Sequence, residues 1–98
     1  MKIMQHKVRD FAHSHKLSSS IESKILMLTH EVGEIAKEGI IAGKNPSTAL
    51  VPSAKMVIEL GEVLYVVADM ANVLNIDLEQ ALDLALDKIA SKVSQKTS

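Results

Sequence analysis

Apolar residues recur every three or four positions along most of the chain, and this spacing predicts α-helices. Alternation with a period of two, typical of half-buried strands, is absent. The sequence therefore predicts one all-α domain over residues 1–98, most simply a four-helix bundle with a polar tail at about 94–98. The four periodic segments lie at about 1–14, 20–42, 52–74 and 78–93.

Residue types that begin or end helices mark the boundaries of these segments. Serine or aspartate followed three residues later by glutamate or glutamine has the capping-box spacing. Glycine and asparagine favour the position after a helix, and proline fits a first turn. The boundary residues are Ser19 with Glu22 and Asp77 with Gln80 at helix starts, Pro52 in a first turn, and Gly43 and Asn75 at helix ends. Between the second and third helices we expect a loop at 44–48 and a short helical turn at Leu50–Val51.

Two pairs of glutamates border the apolar seams of the second and third helices. Glu31 and Glu34 are three residues apart, as are Glu59 and Glu62, so each pair lies on one face of its helix. If the helices pack antiparallel, four carboxylates meet and repel one another unless a cation lies among them. The alternative is a solvated helix face, the usual setting of a single such pair. The position beside the seams favours a divalent metal site.

The seams themselves are aliphatic and are interrupted by glycine. A glycine inside a helix costs about 1 kcal/mol relative to alanine, so Gly33 and Gly39 indicate close helix packing or room for a ligand. Gly61 lies within the second glutamate pair, in surroundings equivalent to those of Gly33. The expected seams are Ile21, Ile25, Leu28, Val32 and Ile35 in the second helix, and Met56, Leu60, Val63, Val67, Met70 and Leu74 in the third.

Ligand type narrows the choice of cation. Four carboxylates without cysteine or histidine suit a hard ion, Mg²⁺ with Mn²⁺ as the alternative. A ferritin-like di-iron site needs Glu-x-x-His, which the chain lacks. A zinc-protease motif beginning at His30 would need a second histidine where Glu34 stands. A metal-activated water is the chemistry that remains.

Composition points to an assembled protein. Hydrophobic residues make up 47% of only 98 residues, more than a small domain buries alone, so a subunit interface is expected. The net charge of −1 lacks the basic footprint of a nucleic-acid-binding protein. No run reaches membrane-spanning length, and the N-terminus lacks the apolar core of a signal peptide. The resulting interpretation is a cytoplasmic homo-oligomer with neither a nucleic-acid nor a membrane partner.

The sequence around both glutamate pairs resembles the MazG-like, all-α nucleoside triphosphate pyrophosphohydrolases. Their motif is Glu-Glu-x-x-Glu, a spacer, and then Glu-x-x-Asp. Here His30 precedes Glu31 and Glu34, and Glu59 is followed by Glu62, so the motif departs at its first and last positions. The resemblance extends over roughly residues 4–86 and includes the specific segment at 76–82.

The resemblance implies Mg²⁺-dependent hydrolysis of (deoxy)nucleoside triphosphates between the α and β phosphates, in a house-cleaning role. It implies that Glu31, Glu34, Glu59 and Glu62 bind the metal, with Glu31 and Glu34 as catalytic candidates. It also implies a homodimer or homotetramer that completes the MazG-like bundle. Two alternatives stay open: an enzyme similar to phosphoribosyl-ATP pyrophosphohydrolase, and a non-catalytic helical oligomerisation or partner-binding module.

Contacts to the nucleotide are less specific in this sequence. Many relatives have a lysine, an asparagine and an arginine in the fourth helix, where Ala85 and Ile89 stand here. Other residues are then candidates for phosphate or base contact, although each also fits a surface or core position. These candidates are Lys24, Lys37, Lys55, Tyr65, Asn72 and Lys88. Glu38 extends the acidic stripe, and its part and that of His30 stay open.

Overall fold

Four helices and their turns make up the part of the chain described by the structure, a computed structural model. That part comprises residues 2–43 and 53–97, with side chains described at 2–40 and 53–95. No strand occurs in it, so the all-α prediction is confirmed. The helices are α1 (Lys2–Ser14), α2 (Ile21–Gly43), α3 (Ala54–Val73) and α4 (Leu78–Thr97).

The start of α2 differs from the prediction by one residue. Ser20 is the cap: its Oγ accepts a hydrogen bond from the Ser23 N–H at 3.1 Å, and its carbonyl accepts one from the Lys24 N–H at 3.0 Å. The hydroxyl of Ser19 accepts a hydrogen bond from Lys24 Nζ at 2.8 Å instead. The predicted capping box of Ser19 with Glu22 is therefore wrong, because the lysine engages the first of the two serines.

The start of α3 is tied to α2. Ser53 is the N-cap of α3, and its Oγ accepts a hydrogen bond from the Met56 N–H at 3.0 Å. The same hydroxyl donates a hydrogen bond to Glu38 Oε1 on α2 at 3.1 Å. At the other end of the connection, Gly43 is the last helical residue of α2 rather than the first beyond it. Three predictions fall outside the described residues: the loop at 44–48, the turn at Leu50–Val51 and the first-turn position of Pro52.

The turn between α3 and α4 has Asn75 and Asp77 in their predicted places, but Asp77 binds the N–H of Glu79 and not that of Gln80. Asn75 adopts a left-handed conformation with φ 57°, and the Ile76 N–H donates to the Ala71 carbonyl at 2.8 Å, as in a Schellman motif. Asp77 caps α4 through a hydrogen bond from the Glu79 N–H to its Oδ1 at 2.9 Å. The segment at 94–97, expected to be a polar tail, is part of α4.

Gln5 on α1 fastens that turn to the first helix. Its side chain is buried, and Nε2 donates to the Ile76 carbonyl at 2.8 Å and to Asn72 Oδ1 at 3.2 Å. Its Oε1 accepts the Leu78 N–H at 2.9 Å, satisfying an otherwise unpaired donor in the first turn of α4. The Asn72 amide in turn donates to the Gln5 carbonyl at 3.0 Å. One amide therefore joins three helices.

Replacing Gln5 by leucine is expected to lower the free energy of unfolding by about 2–4 kcal/mol, because several buried groups lose their partners. Urea denaturation of the variant measures the effect. Gln80→Leu changes an exposed glutamine in the same way and should shift stability by less than about 0.5 kcal/mol. Equal stability of the two variants would contradict the stabilising role of the Gln5 hydrogen bonds.

The expected apolar seams are only partly buried. Ile21, Leu28 and Ile35 turn inward beside the acidic stripe of α2, but Ile25 and Val32 are about half exposed, at 47% and 51%. In α3, Leu60 and Leu74 are likewise about half exposed, at 55% and 50%. The seam prediction is therefore wrong for these four positions of the single chain, because α2 meets α3 through its acidic edge. The buried apolar residues are Val8, Ala12, Val66, Ala68 and Ala71.

The single chain is more open than a compact monomer of its size. Its accessible surface is 7548 Å², against roughly 5,500 Å² for a compact monomer of this mass. Its radius of gyration is 16.4 Å, against about 13 Å. On α4, Leu82, Leu86 and Ile89 form an exposed apolar row. Within the described residues, no helix combines the length and apolarity needed to cross a bilayer.

Candidate functional site

The site lies where α2 and α3 pack antiparallel. Early residues of α2 meet late residues of α3, and each step of seven along one helix is matched by seven back along the other. Because seven residues make about two helical turns, the facing side chains stay on one edge of the hairpin. The facing pairs are Lys24–Asp69, Glu31–Glu62 and Glu38–Lys55.

Two carboxyl groups, those of Glu31 and Glu62, face each other in the middle of this edge. Hydrogen bonding to the Glu62 side chain is the main reason why the pKa of Glu31 lies above its ordinary value. Loss of hydration and the negative charges of Glu62 and Glu59 raise this pKa further, and His30 opposes them. The pair therefore carries charge repulsion that a cation would relieve.

Lys55 lies among the other carboxylates of the edge. Its Nζ is 3.8 Å from Glu34 Oε2, 3.9 Å from Glu38 Oε2 and 3.8 Å from Glu59 Oε1. Glu59 is only 6% exposed, and its second oxygen, Oε2, is buried without a hydrogen-bond partner. An unpaired buried carboxylate oxygen lowers the stability of the fold. Such residues are typical of functional sites, where function rather than stability has selected the residue.

Replacing Glu62 by glutamine is expected to raise the melting temperature of the metal-free protein near neutral pH. Since the folded-state pKa of Glu31 is raised, the pair loses stability as the pH rises through that pKa, and the variant loses less. Melting curves in EDTA between pH 4 and 8 measure the difference. Glu22→Gln, an exposed change on the same helix, is the control. Parallel curves for wild type and Glu62→Gln would contradict the expectation.

The chemical type of the side chains suits a divalent cation, because the edge carries five glutamate carboxylates. The ammonium of Lys55 already supplies a positive charge among three of them. The orphaned oxygen of Glu59 and the raised pKa of Glu31 both fit a site that gains from added positive charge. Nevertheless, no group of three or more acidic, histidine or cysteine side chains among the described residues is arranged to hold a metal ion as it stands. Lys55 occupies the space between three of these carboxylates.

The glycines of both helices border open space. A methyl group built at Gly33, Gly39 or Gly61 would meet no atom of the described residues within 4 Å beyond its own helix. Close helix packing within this chain therefore does not explain these glycines. Room for a ligand, the other reason expected from the sequence, is compatible with the open space beside them.

Three of the candidate nucleotide contacts are engaged elsewhere. Lys24 is 3% exposed and pairs with Asp69 at 2.8 Å. The amide of Asn72 is held by Gln5. Tyr65 packs edge-on against Phe11, with ring centroids 5.8 Å apart, beside a cleft of about 230 Å³ between α1 and α3. Burial, and then the charge of Asp69, raise the pKa of the Tyr65 hydroxyl.

The other lysine candidates are exposed. Lys37 lies on α2, and Lys88 lies on α4, which packs mainly against α1. Lys55 alone among the candidates contacts the acidic cluster.

Sequence reasoning missed two features of the site. Asp69, the partner of Lys24, was not singled out, and no local spacing links the two residues. The position of Lys55 was partly readable, because it stands four residues before Glu59, a spacing that favours an ion pair on a helix. Its contacts with Glu34 and Glu38 depend on the register between the helices.

Comparison with known families gives a match that covers most of the chain. The model of the MazG nucleotide pyrophosphohydrolase domain matches residues 19–96. This segment runs from the cap of α2 almost to the end of α4 and includes every carboxylate of the cluster.

Individual proteins give a consistent result. The uncharacterized protein YpjD of Bacillus subtilis (strain 168) is 38% identical over 66 residues, which is 66% of this chain and 60% of that protein. The match thus spans less than two thirds of the relative's length. A crystal structure of YpjD from Bacillus subtilis, a protein proposed to be a pyrophosphatase, is similar with a TM-score of 0.71 and 31% identity over 91% of both chains. The two chains share their fold.

Proposed function

The chain belongs to the MazG nucleotide pyrophosphohydrolase domain family, and from this premise we propose that it is a Mg²⁺-dependent nucleoside triphosphate pyrophosphohydrolase. The observation that carries the proposal is Glu59, whose buried Oε2 lacks a partner in the middle of the acidic edge. Its Oε2 gains no partner within the described residues, and this unpaired oxygen suits a ligand of opposite charge.

The substrate would be a nucleoside or deoxynucleoside triphosphate, and the products its monophosphate and pyrophosphate. The oxygen of water joins the α phosphorus, the bond from that phosphorus to the bridging oxygen breaks, and pyrophosphate leaves with the bond's electron pair. The water gives up one proton, which a carboxylate of the cluster accepts. Removal of unwanted nucleotides is the role proposed for such an activity.

Four side chains of the cluster would hold the metal: Glu31, Glu34, Glu59 and Glu62. Bound Mg²⁺ would neutralise phosphate charge and stabilise the charge that develops on the oxygens during displacement. Glu34 and Glu31 would orient the attacking water. One of these carboxylates would also accept the proton of that water. Mn²⁺ satisfies the same oxygen ligands.

We also propose that the active form is a homodimer or homotetramer. The excess accessible surface, the exposed Ile25 and Val32 of α2 and the apolar row on α4 support this, because a second copy would cover them. The Gly33 and Gly61 surfaces, open in one chain, would then lie in the walls of an enclosed pocket.

The purified protein tests the proposal directly. It should be incubated with each common triphosphate, with dNTPs and with phosphoribosyl-ATP in the presence of Mg²⁺, and the phosphate products quantified. Equal amounts of monophosphate and pyrophosphate are expected, with ¹⁸O from labelled water in the monophosphate. Release of orthophosphate would contradict the proposed bond of attack.

Two variants distinguish the activity of this protein from that of a contaminating enzyme. Glu31→Gln should lose most of the activity, and Glu22→Gln, an exposed carboxylate on the same helix, should retain it. An inactive wild type, with no stabilisation by Mg²⁺, would instead favour a non-catalytic oligomerisation module.

A further inference from the structure

Two lysines lie on the edge between α2 and α3, and their settings differ in kind. Lys24 is 3% exposed, and its ammonium makes contacts of 2.8 Å with both Asp69 and Ser19, within hydrogen-bond range. The side chain of Lys55 is 54% exposed, and its three carboxylate contacts are 3.8–3.9 Å long. These distances exceed hydrogen-bond range, so charge attraction alone holds Lys55 in place.

We propose that Lys55 is an internal counter-ion that exchanges with the divalent cation, occupying the cluster in the metal-free protein and leaving it when the metal binds. This inference rests on the proposed function. It assigns to Lys55 the control of metal affinity.

The geometry supports exchange rather than coexistence. The ammonium lies nearly equidistant from Glu34, Glu38 and Glu59. Glu34 and Glu59 are two of the proposed metal ligands, so a cation that they share would lie in the same space. A divalent ion a few ångströms from an ammonium is strongly repelled. A metal ion would also give the orphaned Oε2 of Glu59 a partner, which Lys55 does not, since its contact is with Oε1.

The cost of displacing Lys55 is low compared with that of displacing Lys24. More than half of the Lys55 side chain already faces solvent, and its stem is flexible, so the ammonium can swing into water. Lys55 is the second residue of α3, beside the N-cap Ser53. A positive charge is unfavourable near the N-terminus of a helix, which further weakens its hold once the metal supplies charge.

Binding of Mn²⁺ alone, measured by the electron paramagnetic resonance signal of the free ion, tests the exchange without nucleotide or turnover. Lys55→Met should bind Mn²⁺ on the order of tenfold more tightly than wild type, because a competing charge is removed at close range. Lys55→Arg keeps the charge and should bind with affinity close to wild type. Lys7→Met removes a charge from an exposed lysine of α1 and should leave the affinity unchanged.

Thermal melts give a second readout. Without metal, Lys55→Met should melt below wild type, since three carboxylates lose their counter-ion, and Mn²⁺ should raise its melting temperature by more. If Lys55→Met is too unstable to use, the ¹⁵Nζ resonance of wild-type Lys55, assigned with Lys55→Arg, should move on addition of Mg²⁺. A resonance that stays in place would overturn the exchange.

The outcomes separate this inference from the proposed function. Equal Mn²⁺ affinity of wild type and Lys55→Met, together with pyrophosphate release, would overturn the exchange and leave the enzyme reading intact. Absence of Mn²⁺ binding in every variant, including Lys55→Met, would overturn both. Weaker binding in Lys55→Met would overturn the exchange by showing that Lys55 supports the metal rather than competing with it.

Discussion

Glutamine in place of Glu59 is expected to lower the rate of pyrophosphate release by at least about 100-fold, the largest effect on activity that the site predicts. Glu59 is the most buried carboxylate of the cluster, and an amide of the same shape cannot supply its charge. The free energy of unfolding should equal or exceed that of wild type, because the substitution removes a buried charge whose Oε2 has no partner.

The opposite directions of these two effects make the result specific. Steady-state kinetics with a triphosphate and Mg²⁺ measure the first, and urea denaturation in EDTA measures the second. Glu22→Gln serves as the control for a charge change on an exposed helical position. Loss of activity together with loss of stability would mean that Glu59 maintains the fold, and the assignment of a metal-binding role would then fail.

Methionine in place of Lys24 is expected to lower the free energy of unfolding by about 3–5 kcal/mol, the largest effect on stability. Lys24 is nearly inaccessible, and its loss leaves Asp69 without its 2.8 Å partner beside the core residues Val66 and Ala68. Urea denaturation of the metal-free protein measures the change. The exposed lysine of the same helix, Lys37, should tolerate the same substitution with a change below about 0.5 kcal/mol.

A double variant distinguishes the ion pair from simple packing. Lys24→Met combined with Asp69→Leu removes both charges, and it should recover much of the stability lost by Lys24→Met, because no buried charge is left alone. If the two substitutions add without recovery, packing of the lysine stem rather than the charge pair stabilises the hairpin.

Local features of the fold were readable from the sequence. The four helices follow from apolar periodicity, and the end of α3 follows from Asn75, whose left-handed conformation needs only its own backbone and nearby carbonyls. Asp77 caps α4 for the same local reason. The cap of α2 was misplaced because Ser19 and Ser20 are equivalent locally, and the choice between them depends on Lys24, which binds Ser19.

In the site, too, some features follow from local spacing and others depend on the tertiary structure. Spacing of three residues on a helix puts Glu31 beside Glu34 and Glu59 beside Glu62, whatever the tertiary structure. The meeting of Glu31 with Glu62 depends on the packing of α2 against α3, as does the position of Lys55. The seam residues Ile25 and Val32 were expected to be buried because they are apolar, but both are about half exposed. The apolar character of a residue does not determine which face of its helix a neighbouring helix covers.

The sequence by itself therefore determined four amphipathic helices, their caps to within a residue or two, and two paired carboxylates beside aliphatic seams. These properties depend on contacts within about one helical turn, where residue spacing sets geometry directly. Only the tertiary structure decided the partner of each charge: Asp69 for Lys24, Glu62 for Glu31, and a lysine among Glu34, Glu38 and Glu59. The antiparallel register that makes these pairs joins residues far apart in the chain, and no local spacing encodes it.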